Sequence, residues 1–320
     1  MIYRHFRLLS ALLLLALASL LGALLTGSAD ISLAQLYAGN GAHGEILWQL
    51  RAPRAASAFA CGALLALSGV LLQALLRNPL ADPYLLGISG GAAVGALGAM
   101  LLGLAAGVRF AALGGALGAM TLVLALSFRR RGWDMHHLLL TGVALSAGFG
   151  ALISLLLSLA PNASVHGMLY WLMGDLSYAQ EPGLAWAALL LAGIASWALA
   201  RNLDVLSIGE LKAKSLGVAL LPLQGGIYLA AAVATTAAVL EGGSIGFVGL
   251  IVPHLLRLLG VHGHRWLIPC AILLGGSFLT LADTLARTLI APQQLPAGVL
   301  TALLGVPMLL TLLSRQHAAR

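Results

Sequence analysis

Few residues in this sequence have types and spacings that could do chemistry, and none forms a catalytic set. Gly87-Ile-Ser-Gly-Gly91 matches the G-x-S-x-G pattern of serine hydrolases, but that pattern needs a preceding strand and an apolar helical stretch begins here. His262 and His264 lack an acidic third ligand, which makes a weak metal signal. We interpret these residues as packing glycines and a solvated loop, and an intramembrane serine protease using Ser89 is the remote alternative. The sequence predicts no enzyme, metal site or cofactor.

The segment after residue 201 is the nearest approach to a phosphate-binding loop. Gly209-Glu-Leu-Lys-Ala-Lys-Ser215 lacks a glycine before the lysine and follows no strand, so active transport would need an ATPase on another chain. Ser207 and Glu210 have the spacing of a capping box, and Gly217 suits a helix C-terminus. These signals predict a two-turn helix over 208–216, which proline at Glu210 would break. Because it is too short to be stable alone, it packs on its own domain or docks into a partner.

Charged residues in or beside apolar stretches are the remaining candidates. Arg51-Ala-Pro-Arg54 places two guanidinium groups before such a stretch, where they anchor the membrane interface or bind carboxylates of an acidic partner. Asp283 and Arg287 lie four residues apart and can pair on one helix face. Asp283 and Glu241 are the acids that an ion-coupled secondary transporter would need.

Long uncharged stretches carry all of these residues. A membrane-spanning helix needs about 20 apolar residues, and ten stretches are near that length: 8–29, 55–76, 83–108, 110–128, 135–174, 182–200, 215–240, 242–256, 266–282 and 288–314. The chain is 60% hydrophobic and 8% charged, with a mean hydropathy of +0.99, whereas soluble domains are roughly 25% charged. The sequence therefore predicts an all-α polytopic membrane protein, one domain over residues 1–320, with about ten transmembrane helices in the lipid bilayer.

Three details refine this prediction. The first stretch resembles a signal peptide but is longer, so we expect an uncleaved first helix. The stretch 135–174 is expected to break at Pro161 into a helix and a loop, and 242–256 to extend as a helix to about Gly260. Cys61 and Cys270 both lie inside apolar stretches, so no disulfide framework is implied.

Basic residues predict the orientation. If both termini are cytoplasmic, every Lys and Arg except Arg51, Arg54, Arg109 and Arg287 falls on the inner side, as the positive-inside rule requires. The net charge of +7 is thus a topology signal, and no basic soluble face exists that would bind nucleic acid.

Prolines predict a turn in this sequence, and glycines predict close packing of helices. Two prolines in Arg77-Asn-Pro-Leu-Ala-Asp-Pro83 forbid a continuing helix and predict a rigid turn, which on chemistry alone is a tight connector. Gly87, Gly91 and Gly95 recur every four residues, which allows helix backbones in a membrane to approach closely.

Taken together, these residues resemble the ABC-importer permeases for iron-siderophores, haem and vitamin B12. The matching motifs run in order from about residue 45 to 313 and comprise Arg51–Arg54, Ala66–Gly69, Gln73, Arg77–Pro83, Leu86–Gly91, Tyr170–Gly174, Gly209-Glu210, Ser215–Gly217, Gly246–Arg257, Leu281–Arg287 and Leu295–Pro307.

The resemblance implies an architecture and a set of partners. It implies ten transmembrane helices per subunit in the bacterial inner membrane, with both termini cytoplasmic. It also implies a second copy of the chain around a central pathway, two cytoplasmic ABC ATPase subunits and a periplasmic substrate-binding protein.

The resemblance further implies roles for individual residues. Arg51, Arg54 and Arg287 match the arginines that dock the binding protein, so that Arg287 serves the partner instead of Asp283. The coupling helix, about 207–217, would contact the ATPase through Ser207, Gly209, Glu210, Ala213, Leu216 and Gly217. The cytoplasmic gate would be formed by Asn78, Leu80, Met135 and His136, of which the last two depart from the small hydroxylated residues expected.

The implied function is import of a metal chelate, with an ion-coupled secondary transporter as the alternative. Siderophore, haem and vitamin B12 permeases share the motifs, and the segment Trp171–Asp175 leans slightly towards the vitamin B12 branch.

Overall fold

The fold is a bundle of helices. A computed structural model of the chain describes residues 2–27, 42–129, 132–133, 135–177, 179 and 181–318. In chain order the α-helices are α1 (Ile2–Leu25), α2 (Ala42–Glu45), α3 (Ala52–Leu75), α4 (Ile88–Leu101), α5 (Val108–Ser127), α6 (Met135–Leu159), α7 (Asn162–Met173), α8 (Gly183–Ala198), α9 (Ala200–Ile208), α10 (Glu210–Ser215), α11 (Leu220–Gly242), α12 (Val248–Leu258), α13 (His264–Thr288) and α14 (Ala297–Ala318). A π-helical turn (Ile46–Arg51) and two 3₁₀ turns (Pro83–Leu86 and Ala105–Gly107) complete the helices. Two short strands, β1 (Phe128–Arg129) and β2 (Gly132–Trp133), pair antiparallel.

Helix α3 is the centre of the bundle. Every residue from Ser57 to Leu75 is buried, and the helix packs mainly against α13, α11, α12 and α8. A spanning helix that is buried on all sides reads as a continuous apolar run without an amphipathic pattern, and the stretch 55–76 has that character. These four helices therefore surround α3, which connects the two ends of the bundle.

Glycines allow this close packing. A Cβ atom on Gly62 would lie 2.2 Å from the carbonyl oxygen of Gly275, and one on Gly69 would lie 1.9 Å from that of Gly249. Gly91 and Gly95 make equally close contacts with α5, as their spacing predicts. Gly87 differs, because it adopts a left-handed conformation (φ 72°) before α4.

The described residues contain six helices that are long and apolar enough to cross a membrane. The pair α8 and α9, bent by 61°, forms a seventh candidate span, and α4, α12 and α14 are shorter apolar helices. The all-α membrane fold is confirmed, and the number of ten crossings is approximate because three of them are short.

Two boundaries differ from the sequence-based expectation. The residues after Pro161 were expected to form a loop, but they form helix α7, because Pro161 precedes the helix and leaves its hydrogen bonds intact. The loop expected over 202–222 contains α9 and α10. The chain bends at Leu199, between the apolar α8 and α9. Charged residues mark the end of an apolar stretch in the sequence, but they do not show whether the helix itself ends there.

Candidate functional site

The predicted site residues lie at the two ends of α3. We name these the Arg54 end, which holds Arg51, Arg54 and Arg287, and the Arg77 end, which holds the turn Arg77–Pro83 and helix α10. A helix of this length spans about 36 Å, so the two groups of residues are separated by the whole apolar bundle.

A buried ion pair dominates the Arg54 end. Arg54 contacts both carboxylate oxygens of Asp283, with Nη2 to Oδ1 at 2.8 Å and Nε to Oδ2 at 3.0 Å. The side chains are only 11% and 3% exposed. Nη1 of Arg54 donates to Oε1 of Gln294 (2.7 Å) and to Oγ of Ser177 (3.3 Å). A bidentate pair whose arginine also donates to two further side chains is held in one geometry and is costly to separate.

The other two arginines of this end hold the C-terminus of α1. Arg51 Nη1 donates to the carbonyl oxygens of Leu24 (2.9 Å) and Leu25 (3.0 Å), and Arg287 donates to the carbonyl of Ala23. These carbonyls have no partner within the helix, and cations are favourable at this negative end of the helix dipole. Both arginines therefore tie α1 to the bundle.

The expected pairing of Asp283 with Arg287 is secondary. Arg287 Nε lies 3.9 Å from Oδ2 of Asp283, whereas Arg54, which is distant in sequence, makes the close contact. The segment from Arg51 to Arg54 is helical and not a turn, since Pro53 lies in the first turn of α3, which continues directly from the π-helical turn. The three arginines and Gln294 line a cavity of about 610 Å³.

A second buried acid, the other acid considered for an ion-coupled transporter, lies at the same end, and its partner was not predicted from the sequence. Glu241 accepts from Arg109 Nη2 (2.6 Å) and from Ser57 Oγ (2.7 Å), and its side chain is 3% exposed. Arg109 also lies 3.5 Å from the exposed Glu181. The pair borders a cavity of about 650 Å³ that is lined by Trp171 and other residues of α7. The sequence signal for this pair was an isolated Arg and an isolated Glu, each at the end of an apolar stretch.

At the Arg77 end, the structure shows the predicted turn. Asn78 Oδ1 accepts from the backbone N–H of Leu80 (2.9 Å), and the Asn78 carbonyl accepts from the N–H of Ala81 (3.0 Å). The buried Gln73 donates to the carbonyl of Gly249 (3.2 Å) and accepts from Arg257, which fixes the base of the turn on α12. Leu80 is at the exposed tip.

Asp82 ends the turn and starts the following 3₁₀ helix. Its Oδ1 accepts from the backbone N–H of Tyr84 (2.8 Å), which is an N-cap contact. Burial raises the pKa of Asp82 from its ordinary 3.8 to about 6, although the Tyr84 hydrogen bond acts in the opposite direction. Tyr84 exchanges two hydrogen bonds of 2.7 Å with the backbone of Ile245. The turn is thereby attached to the loop before α12.

The predicted coupling helix is two helices. The capping-box assignment of Ser207 is wrong, because its hydroxyl donates to the Leu203 carbonyl (2.9 Å) inside α9. Gly209, with φ 131°, ends α9, and Glu210 is the first residue of α10. Proline is tolerated at a first helical position, so proline at Glu210 would not break this helix.

The C-terminal prediction for this helix is confirmed. Gly217 has φ 79°, its N–H donates to Lys214, and the N–H of Val218 donates to Ala213, which is a Schellman motif. Ala213 is buried, but Leu211 is 85% exposed between charged neighbours, and Leu216 and Ile208 are also exposed. The six-residue helix thus presents an apolar side chain to water.

One ion pair joins α10 to the turn. Arg77 Nη2 lies 3.0 Å from Glu210 Oε1, with side chains 39% and 33% exposed. Gln224 donates to the same oxygen at 3.4 Å. Arg77 adopts φ 50°, a left-handed conformation that is uncommon outside glycine and is strained by about 1–2 kcal/mol.

The remaining predicted residues have simpler surroundings. Met135 and His136 form the start of α6, and their side chains lie outside the described part of the structure. Ser89 donates to the hydroxyl of Ser244 (3.1 Å). His264 is buried, not solvated as predicted, and contacts Asp204 at 2.6 Å. Among the described residues no three His, Cys, Asp or Glu side chains cluster as metal ligands would.

Known proteins share this sequence and this fold. The model of the FecCD transport family matches residues 11–315. The chain is 40% identical over 285 residues to the uncharacterized ABC transporter permease protein YvrB of Bacillus subtilis, covering 85% of this chain and 80% of the relative. It is 38% identical over 316 residues to the vitamin B12 import system permease protein BtuC of Shigella boydii, covering 97% and 95%.

Solved structures agree with these relatives. An inward-facing conformation of a transporter assigned to the metal-chelate ABC type superposes with a TM-score of 0.89 at 32% identity, covering 97% of this chain and 99% of that one. PsaBC from Streptococcus pneumoniae shares the fold, with a TM-score of 0.57 at 18% identity, covering 84% and 92%. The chain therefore belongs to the FecCD transport family, as a membrane permease of the ABC-importer type.

Proposed function

We propose that this chain moves a metal chelate from a periplasmic binding protein to the cytoplasm, across the bacterial inner membrane. ATP hydrolysis by two separate ABC ATPase subunits drives the import, and both termini face the cytoplasm. The exposed Leu211 on α10, at the end of the bundle opposite the buried arginines, is the observation that carries the proposal. Ile208 and Leu216 of the same segment are exposed as well, and several exposed apolar side chains within one short segment are typical of a docking contact.

The ATPase binds the coupling segment, residues 207–217. Leu211 and Leu216 supply the apolar contact, while Lys212 and Lys214 surround it with positive charge. The buried Ala213 and the C-terminal Gly217 fix the helix to the bundle, so that a force on Leu211 moves the segment as a unit. Gly209 provides the pivot, since its φ of 131° is open to few other residues.

The binding protein docks at the Arg54 end. Arg51, Arg54 and Arg287 supply the positive charge, and carboxylates of the partner provide the complementary charge. Because all three side chains are largely buried, docking requires the partner to reach into the cavity that they line with Gln294. The encounter is steered by charge, and the final contact is made at the edge of Arg54 that faces Gln294 and Ser177.

The gate and the second copy complete the pathway. The turn with Asn78 and Leu80, together with the start of α6 at Met135 and His136, closes the cytoplasmic side. Helix α6 has exposed apolar residues along its length, Leu140, Leu152, Leu155 and Leu159 among them, which lipid and a second copy of the chain cover in the membrane.

Cobalamin is the first cargo to test, because the relatives named BtuC are described as vitamin B12 import system permease proteins, and the one from Shigella boydii matches 97% of this chain. Iron-siderophore and haem complexes are the other two chelates of this importer class.

Affinity purification from native membranes, followed by reconstitution in proteoliposomes, tests the proposal. We expect an ABC ATPase to co-purify and uptake of cobalt-57 cyanocobalamin, a ferric siderophore or haemin to require ATP and the binding protein. Leu211→Ser should release the ATPase, whereas Leu102→Ser, a leucine of similar exposure at the opposite end, should not. Uptake of all three chelates that needs no ATPase would contradict the proposal.

An ion-coupled secondary transporter is the competing function, and the surroundings of its acids disfavour it. Both intramembrane candidates, Asp283 and Glu241, accept hydrogen bonds from arginines. A carboxylate that binds an arginine side chain is not free to bind a transported ion, which an ion-coupled site requires. Uptake driven by a proton or sodium gradient in the same proteoliposomes would favour this alternative.

A further inference from the structure

We propose that the Arg77–Glu210 ion pair is the link through which the coupling segment moves the gate turn, with Arg77 as a positioning residue for transport. This inference rests on the proposed function, since it assumes that an ATPase acts on α10. Neither residue touches cargo. Arg77 precedes the turn that carries Leu80, and Glu210 is the first residue of the helix that carries Leu211.

The pair is placed to transmit a displacement. Glu210 begins a helix that follows Gly209 (φ 131°), and this glycine provides the pivot about which the helix can move without bending. Arg77 lies directly before the turn, whose backbone is restricted by two prolines and closed by the Asn78 contacts. A rigid turn follows the residue that holds it, so movement of Glu210 reaches the tip at Leu80.

The backbone of Arg77 forms the C-terminal cap of α3. Its left-handed conformation is the one that such caps adopt, because the N–H of Asn78 donates to the carbonyl of Gln73 (3.2 Å). From this cap the guanidinium reaches α10, where it meets Glu210 at 3.0 Å. Among the described residues, this is the ion pair that connects the turn to the coupling segment, because Gln73 and Asp82 attach the turn to other elements.

The partial exposure of the pair suits a contact that changes during transport. Side chains that are 39% and 33% exposed remain accessible to water, so the pair separates at little cost, and Gln224 offers Glu210 a second donor. A buried pair such as Arg54–Asp283 would be costly to separate in each transport cycle. The link therefore holds the turn and the segment together without locking them.

A distance measurement across the two copies tests the link without knowledge of the cargo. Spin labels are attached at Leu80→Cys, which is selective because Cys61 and Cys270 are buried. The complex with its ATPase is compared without nucleotide and with ATP plus vanadate. We expect a clear change of the label–label distance in the otherwise native protein, and a three- to fivefold smaller fraction of shifted complexes with Glu210→Gln or Arg77→Gln.

Rescue separates this role from a merely structural one. The charge-exchanged variant Arg77→Glu with Glu210→Arg should recover most of the distance change, as should Arg77→Lys, which keeps the cation. Arg201→Gln is the matched control, because it removes a positive charge from an exposed residue of the neighbouring α9 and should leave the change intact.

The outcomes are distinguishable from failure of the proposed function. If no ATPase binds the native permease, the proposed function fails together with the link. If the ATPase binds and hydrolyses ATP but Leu80 labels do not respond, or respond equally in Glu210→Gln, the link is overturned and the proposed function stands. Charge exchange without rescue, in a variant that still binds the ATPase, would also overturn it.

Discussion

The two ends of α3 each contain an arginine–carboxylate pair, and the two pairs differ in geometry and in exposure. At the Arg54 end, Nε and Nη2 of the arginine contact a buried carboxylate, and the arginine side chain is 11% exposed. At the Arg77 end, an arginine contacts a carboxylate through one nitrogen and 39% of its side chain is exposed. The first pair holds helices in place, whereas the second joins two segments through a contact that water reaches. Burial, more than charge, decides which role an arginine plays.

The largest effect is expected from Arg54→Ala. Removing one partner of a buried ion pair leaves Asp283 uncompensated and should lower the free energy of unfolding by about 3–5 kcal/mol. The double variant Arg54→Ala with Asp283→Asn should recover most of that loss, since it removes the stranded charge. Thermal unfolding in detergent measures both. Equal destabilisation of the single and double variants would show that packing, not charge, dominates this end.

Arg109→Ala sharpens the comparison at the same end. It removes the cation from the buried Glu241, and we expect a loss of about 1.5–3 kcal/mol, because Ser57 still donates to the carboxylate. Glu181→Gln is the control: this side chain also approaches Arg109 but is 85% exposed, so its loss should be within measurement error. A large effect of Glu181→Gln would contradict the importance of burial.

Asp82 gives the Arg77 end a dependence on pH. Because its pKa is raised from 3.8 to about 6, the folded state holds a proton that the unfolded state releases in that window. Stability should therefore fall as pH rises from about 4 to about 6, by about 1–2 kcal/mol because Asp82 is only half-buried. Asp82→Asn keeps the acceptor for Tyr84 and should abolish the slope in pH-dependent unfolding curves. An unchanged slope would place the titration elsewhere.

The smallest effect is expected from Arg77→Ala. A partly exposed pair contributes about 0–1 kcal/mol, so the unfolding curve should barely shift while the nucleotide-dependent movement of Leu80 decreases. The same preparation, measured for both quantities, provides the test. A loss comparable to that of Arg54→Ala would abolish the contrast between the two ends.

The sequence was sufficient for the architecture, because long uncharged stretches leave few alternatives in a membrane. Gly91 and Gly95, the turn at Asn78 and the cap at Gly217 were also predictable, since each depends on neighbours within a few residues. Ser207 was misassigned because a capping signal does not reveal that a preceding helix has not yet ended. The pairs Arg54–Asp283 and Arg109–Glu241 join residues that are far apart in the chain, and such contacts require knowledge of the packing.

The full burial of α3 has a consequence for how the protein is made. Ser68 donates to Ala231, 163 residues later in the chain, and Gln73 donates to Gly249, 176 residues later. At a synthesis rate of roughly 5–20 residues per second, α3 waits on the order of ten to thirty seconds for these neighbours. During that time its polar side chains and glycine faces lie open to lipid. The central helix is thus inserted early, and its packing is completed only when the later helices have been made. Chains truncated before α11 should therefore be degraded by membrane quality control.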